Sequence, residues 1–174
     1  MKIQFCSGGN IIDGWENRDM DCDIRNPLPY KDESATCILI EHGLEHVTFK
    51  EGWNFLCECH RILKPKGVLR VGIPDITKMY RDMTPQYRDA VKLGGHGDGS
   101  MKSTIRAAIF EHGHQSVWNS VLLQTIMSAI GFSYRRMETI GSSSCHDLVD
   151  VEGHWRIVGM DIALVETAIV EGMK

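Results

Sequence analysis

Apolar positions along the chain follow two rhythms. A continuous apolar run at residues 36–40 is of the kind that forms a strand buried on both faces of a parallel sheet, residues 3–6 and 68–73 read as further strands, and residues 15–20 offer a shorter strand candidate. The strand at 3–6 ends in Ser7, Gly8, Gly9 and Asn10, whose permissive backbones favour a turn. Between the strands at 36–40 and 68–73, Phe49, Trp53, Leu56, Cys57 and His60 recur at helical spacing, and Lys64, Pro65, Lys66 and Gly67 close that helix. A strand, helix, strand unit results. After Pro74 and Asp75 the pattern is helical to about Val91, then breaks at residues 94–100, where four of seven residues are glycine. A second helical stripe, Trp118, Val121, Leu122, Ile126 and Ile130, stops at Gly131, a suitable C-terminal residue. Residues 132–139 and 161–170 read as the last two strands, with little periodicity from 141 to 156. The alternation predicts an α/β fold with a mostly parallel sheet, helices on both faces and an antiparallel final strand.

Composition narrows the classes. With 43% hydrophobic and 24% charged residues, the 174-residue chain reads as one soluble domain over residues 1–174. No apolar run approaches the roughly 20 residues of a membrane helix, and residues 1–6 carry no secretory signal, so a cytoplasmic location without membrane contact is expected. A net charge of -4 gives no footprint for gripping a phosphate backbone, so nucleic acid is not expected as a partner. Six scattered cysteines fit free thiols. Cys57, Cys59 and His60 lack a second ligand pair at zinc-site spacing, and no metal is expected.

A series of segments carries a resemblance. They are Ile3-Gln4-Phe5-Cys6-Ser7-Gly8, residues 14–19, Asp23-Ile24 with Pro27-Leu28-Pro29-Tyr30, Leu44-Glu45-His46, and above all His60-Arg61-Ile62-Leu63-Lys64-Pro65-Lys66-Gly67 running on to Asp75. His112-Gly113-His114, Ala129-Ile130-Gly131-Phe132 and Ala163-Leu164-Val165-Glu166 continue the series. In this order, over nearly the whole chain, they resemble the small class I S-adenosylmethionine-dependent methyltransferases of the type 11 group. The resemblance implies a Rossmann-like, doubly wound sheet of seven strands. S-Adenosylmethionine would lie across the carboxyl ends of the first strands, where open α/β sheets generally bind ligands. A methyl group would pass to a small-molecule or group acceptor; neither the acceptor nor the oligomeric state is legible in the sequence.

By the same resemblance, Cys6, Ser7 and Gly8 form the cofactor loop, Asp19 accepts from the ribose hydroxyls, Asp23 and Ile24 form the adenine turn, and Glu41 and His42 face the methionine and sulfonium. A glycine-rich turn after a strand and an acidic residue at the end of the next suit those tasks on physical grounds. Methyl transfer from a sulfonium depends mainly on alignment, which can supply about 7 to 11 kcal/mol of barrier reduction. An oxygen or nitrogen acceptor adds the need for a base, and His42 and Asp75 stand at strand ends as candidates. Residues 1–75 are thus expected to form the cofactor half and 76–174 the acceptor half, with Tyr80, His112 and His114 as substrate contacts and residues 94–100 as a lid.

Two departures keep a second class open. Cys6 replaces the family's first motif glycine, and about a dozen residues separate the first two strands, too few for a full first helix. These motivate a methyltransferase-like binding or scaffold module without turnover. His42, Glu45 and His46 also fit the H-x-x-E-H pattern of inverted zinc peptidases. Gly43 and the missing third ligand favour hydrogen bonding of Glu45 and His46 within the strand-to-helix loop instead.

Overall fold

A computed structural model describes residues 1–174, apart from the side chain of Tyr134. The strands are Lys2–Phe5 (β1), Glu16–Asn17 (β2), Ala35–Glu41 (β3), Leu63–Pro74 (β4), Tyr134–Glu138 (β5) and Thr167–Met173 (β6). They form one sheet in the order β2-β1-β3-β4-β6-β5. The first four run parallel, and β6 is antiparallel to both β4 and β5. The expected fold class is observed, with six strands among the described residues instead of seven. Residues 18–34 run as turns, and Pro27 and Pro29 remove two backbone donors from that stretch. The candidate strand at 15–20 shrinks to two residues because Asp21 Oδ1 takes the Asp19 amide into a turn at 2.9 Å.

Alternation along β3 divides the core. Ile38 and Ile40 join Ile3, Phe5, Leu69 and Val71 against helix Phe49–Ile62 (α1) and helix Ser120–Ile130 (α5). Cys37 and Leu39 face the other way, onto Leu148 and Val151 of an irregular segment holding a short 3₁₀ turn, His146–Leu148. That segment is clamped through Arg70, fully buried on β4, which pairs with Glu152 and with Glu171 of β6. Arg70 also donates to the carbonyls of Ser142 at 2.9 Å and Thr139 at 3.1 Å. A buried guanidinium demands such saturation.

The first helix begins with a capping box, Thr48 and Glu51 satisfying each other's backbone amides. Its buried face is Gly52, Phe55, Leu56, Cys59 and Ile62, rotated from the stripe read in the sequence; Phe49 and Cys57 are exposed. Gly52 sets this rotation, since a Cβ there would stand 2.8 Å from the Trp118 indole. Trp118 itself precedes α5 and bridges to Asp75.

The remaining helices gather at the carboxyl end of the parallel strands: Ile76–Asp82 (α2), Pro85–Leu93 (α3), Met101–Phe110 (α4), Trp155–Val158 (α6) and Met160–Glu166 (α7). The single helical stretch expected after Asp75 is two helices, because Pro85 starts a new one with Thr84 as its cap. Residues 161–166 are helical, not the start of the last strand. A short apolar run does not discriminate the two states, and Ala163, Leu164 and Glu166 are strong helix formers, whereas Thr167, Ile169 and Val170 take over as strand.

Candidate active site

Two neighbouring cavities lie at the carboxyl ends of β1, β3 and β4. The smaller, of about 290 Å³, is a crevice lined by Gln4, Cys6, Ser7, Gly8, Glu41 and His42 on one side and by Gly153, His154, Arg156 and Ile157 on the other. Both Cys6 and Gly8 have left-handed backbones, with φ of 53° and 49°. Gly8 has open space where a Cβ would stand, so its main chain is bare to the crevice. Cys6 adopts, at a cost in strain, the conformation that a glycine would adopt freely. Burial first, then the charges of Glu45 and Asp19, push the Cys6 thiol up to about 12. Glu41 does not stand free in the crevice: its Oε2 accepts from the amides of Gly153 at 2.8 Å and His154 at 3.1 Å. Its Oε1, like Gln4 Oε1, is buried without a hydrogen-bond partner.

The larger cavity, of about 590 Å³, is enclosed by α2, α3, α4 and the 154–166 region, and five of its wall residues besides His42 are His46, His96, His112, His114 and His154. His42, His154 and Ile157 line both cavities. The His42 and His154 rings stack with centroids 3.7 Å apart. His42 Nε2 meets Thr167 Oγ1 at 2.8 Å and its Nδ1 faces Glu45 at 3.4 Å, so both ring nitrogens are directed at protein atoms. Burial works against the charged His42 ring, yet Glu45 beside it, then Glu166 and Glu41, hold its pKa above the ordinary value. His154 Nε2 bonds Glu166 Oε1 at 2.7 Å, which leaves its Nδ1 as the lone-pair nitrogen. Tyr87 completes the chain by donating to Glu166 Oε2 at 3.0 Å. Burial alone would raise the Glu166 carboxyl; His154 and His42 hold it below the usual range.

Several expected site residues thus meet: Cys6, Ser7, Gly8, Glu41 and His42 border the crevice, and His112 and His114 line the larger cavity. Others do not. Asp75 is not available as a base: fully buried, it caps α2 by accepting from Thr77 and Lys78 amides at 2.9 and 3.1 Å, and it accepts from the Ser120 amide at 2.8 Å. Tyr80 points outward, 63% exposed, and lines neither cavity, whereas its buried neighbour Met79 lines the larger one. Ile24 is buried in the core, and the Asp23 carboxylate is taken by Arg25 at 2.8 Å. His42 and His46 do not share a helical face, since only Leu44–His46 is helical, as one 3₁₀ turn. Nor is the larger cavity a product of residues after 75 alone; His42, Glu45 and His46 form part of its wall. His154 and Glu166 escaped sequence reasoning because they lie 12 residues apart in an aperiodic stretch and a misread strand. Only the family likeness of residues 163–166 pointed near them.

Comparison with known proteins agrees with this geometry. Residues 14–71 match the family model for the type 11 methyltransferase domain. No curated protein matches the chain in sequence. Among solved structures, a methyltransferase from Thermotoga maritima described as a possible histamine N-methyltransferase is 17% identical, with a TM-score of 0.53 over 99% of this chain and 81% of its own. A SAM-dependent methyltransferase from Archaeoglobus fulgidus is 12% identical, with a TM-score of 0.54 over 99% and 86%. A Haloferax volcanii methyltransferase in complex with the Trm112 methyltransferase activator is 11% identical, with a TM-score of 0.55 over 99% and 81%. These likenesses bear on the fold alone. Over residues 14–71, about a third of its length, the chain is similar to the type 11 methyltransferase domain, and its fold is that of S-adenosylmethionine-dependent methyltransferases of known structure.

Proposed function

We propose that the chain transfers a methyl group from S-adenosylmethionine, held in the crevice of β1 and β3, to an acceptor held in the histidine-lined cavity. The observation that carries this reading is the shared wall of His42, His154 and Ile157, which makes the two cavities neighbours across a single layer of side chains. The crevice residues fit the cofactor. Bare backbone at Gly8 allows close approach, and the orphaned Glu41 Oε1 and Gln4 Oε1 are acceptors that an ammonium group would satisfy; the exposed Asp19 carboxylate, which does not line the crevice but follows Arg18, whose carbonyl accepts from the Ser7 amide, suits ribose hydroxyls. When bound, the cofactor supplies an activated methyl group on a sulfonium.

The chain's own residues do the rest. His154 is the base: Glu166 fixes the proton on Nε2, stacking on His42 fixes the ring plane, and Nδ1 is left to take a proton from an oxygen or nitrogen acceptor. His42, with Nε2 bonded to Thr167 and Nδ1 facing Glu45, positions His154. Apolar Met79, Ala107 and Ile162 exclude water from the cavity. At about 290 Å³ the crevice is at the lower bound for ligand sites. Admitting a cofactor would open the contacts of Asn10 with the Val151 carbonyl and of Glu41 with the Gly153 amide, while the His154 ring keeps its bond to Glu166. If those contacts held, the same packing would favour the scaffold reading. Release of S-adenosylhomocysteine above the enzyme-free rate, in a screen of imidazole, amine, phenol and carboxylate acceptors, tests the proposal. Tight cofactor binding with no release for any acceptor class would leave the scaffold.

A further inference from the structure

Three groups of histidine and carboxylate side chains bring potential ligand atoms within 4.8 Å of one another: His42, His154 and Glu166; His96, Glu111 and His112; and Glu45, His46 and His114. The first is closed by its own hydrogen bonds to Thr167 and Tyr87. In the second, Glu111 is already bound by His96 at 2.8 Å and Arg106 at 3.2 Å near solvent. The third is the least well compensated, with Glu45 facing His42 and His46 only at long range. Glu45 is 1% exposed, and neither carboxylate oxygen has a hydrogen-bond partner. His42 Nδ1 at 3.4 Å and His46 Nε2 at 3.9 Å approach Glu45 Oε1 without bonding it. A buried carboxylate left in this condition costs free energy unless something cationic completes it.

The histidines are prepared for that task. His114 Nδ1 lies 2.6 Å from the Ala108 carbonyl, so Nδ1 carries the proton and Nε2 the lone pair. A histidine that ligates a metal commonly donates its other ring N–H to such a carbonyl. The two segments bearing the ligands are also locked together: the amides of Gln115 and Ser116 donate to the Glu45 carbonyl at 2.7 and 3.2 Å, and Gln115 Nε2 donates to the His46 carbonyl at 2.7 Å. The His46 and His114 rings meet edge to face at 5.0 Å. Around a tetrahedral ion with bonds of about 2.1 Å, ligand atoms stand about 3.4 Å apart. The present spacing of 3.9 Å between His46 Nε2 and Glu45 Oε1 closes to that by a small rotation of the half-exposed His46.

We propose that Glu45, His46 and His114 form a three-ligand site for a divalent cation of the zinc class. A set of two imidazoles and one carboxylate suits such a borderline ion, and three protein ligands leave a coordination position open. All three residues line the larger cavity, so that position faces the space in which an acceptor would sit. The assignment stands on these side chains and is independent of methyl transfer. It also differs from the H-x-x-E-H reading, in which the glutamate serves as base and the two histidines as ligands.

The test is competition of the purified, metal-stripped chain with a chromophoric chelator for Zn²⁺, together with the visible spectrum of the chain loaded with Co²⁺. One ion per chain, a tetrahedral or five-coordinate Co²⁺ spectrum and a higher melting temperature with zinc are expected. His46→Ala, a half-exposed position that the fold tolerates, should weaken zinc binding at least tenfold and remove the Co²⁺ band, and Glu45→Gln should do the same while remaining folded. His96→Ala should leave both unchanged. Substoichiometric binding in the parent would overturn the site, as would zinc binding that survives His46→Ala and His114→Ala or is lost in His96→Ala.

Discussion

The crevice at the ends of β1 and β3 and the cavity under the helical cap meet at one wall, but they are made in different ways. On its β1 and β3 side the crevice is a property of backbone: its loop follows directly from a strand, and Cys6, Ser7, Gly8, Glu41 and His42 lie at or within three residues of a strand end, while Gly153, His154, Arg156 and Ile157 close the other side. The cavity is a property of tertiary packing. Its histidines come from the end of β3, the loops on either side of α4 and the segment before α6, and nothing in their sequence spacing unites them. The contrast shows where function can vary in this fold. The crevice is constrained by sheet geometry, whereas the cavity can be rebuilt by exchanging side chains on short helices.

The division predicts effects of different kinds. The largest should come from the shared wall: His154→Gln, which keeps a polar side chain but lacks a basic nitrogen, should lower turnover about 10²- to 10⁴-fold, the usual range for a lost general base. Cofactor affinity should change little, so steady-state kinetics beside calorimetry will separate a base from a structural contact. A turnover loss no larger than the loss in cofactor affinity would move His154 into the crevice alone.

Next is the clamp under the crevice. Arg70→Leu leaves Glu152 and Glu171 buried without their countercharge and should cost about 3 to 5 kcal/mol of stability in urea unfolding. Its effect on ligand binding should follow only from the fraction unfolded. Asp75→Ala comes third. Removing the acceptor for three backbone amides should cost about 1 to 3 kcal/mol of stability without altering cofactor affinity. A specific loss of turnover in that folded variant would restore Asp75 to the chemistry.

A smaller effect is reserved for the acidic residues that follow β2. Asp19→Ala should weaken S-adenosylmethionine binding at least tenfold, given about 1.5 to 3 kcal/mol for a hydrogen bond to a charged group. Asp23→Ala should cost less, because Arg25 already occupies that carboxylate. The smallest change is expected from shortening residues 94–100. His96 from this loop lines the cavity but not the crevice, so cofactor affinity should stay within about 0.5 kcal/mol, the scale of remote surface changes.

How much of this was legible in the chain follows the same boundary. The runs at 3–6, 36–40 and 68–73 became β1, β3 and β4 because strands buried on both faces are rich in apolar residues, with Gln4 and Arg70 as the buried exceptions, and the residues just past their ends reached the crevice. Residues 161–166 were misread because four apolar residues in a row carry no period. Helix α4 had no counterpart in the reading, as its buried positions are only Thr104 and Ala107. Asp75 was legible as a strand-end acid, but its cap on α2 and its bond to Ser120, 45 residues away, were not. His154 could not be paired with Glu166, nor Glu45 with His114, before α7 and the loop after α4 had been placed against the sheet.

The claim on which everything else rests is that the narrow crevice of β1 and β3 accepts the cofactor. Calorimetric titration of the intact chain with S-adenosylmethionine and S-adenosylhomocysteine tests it most directly. The account predicts saturable binding of both ligands at one site per chain, weakened in Asp19→Ala. No heat and no thermal shift at millimolar ligand, in protein shown to be folded, would contradict it and leave segment 151–157 as a permanent filling of the crevice.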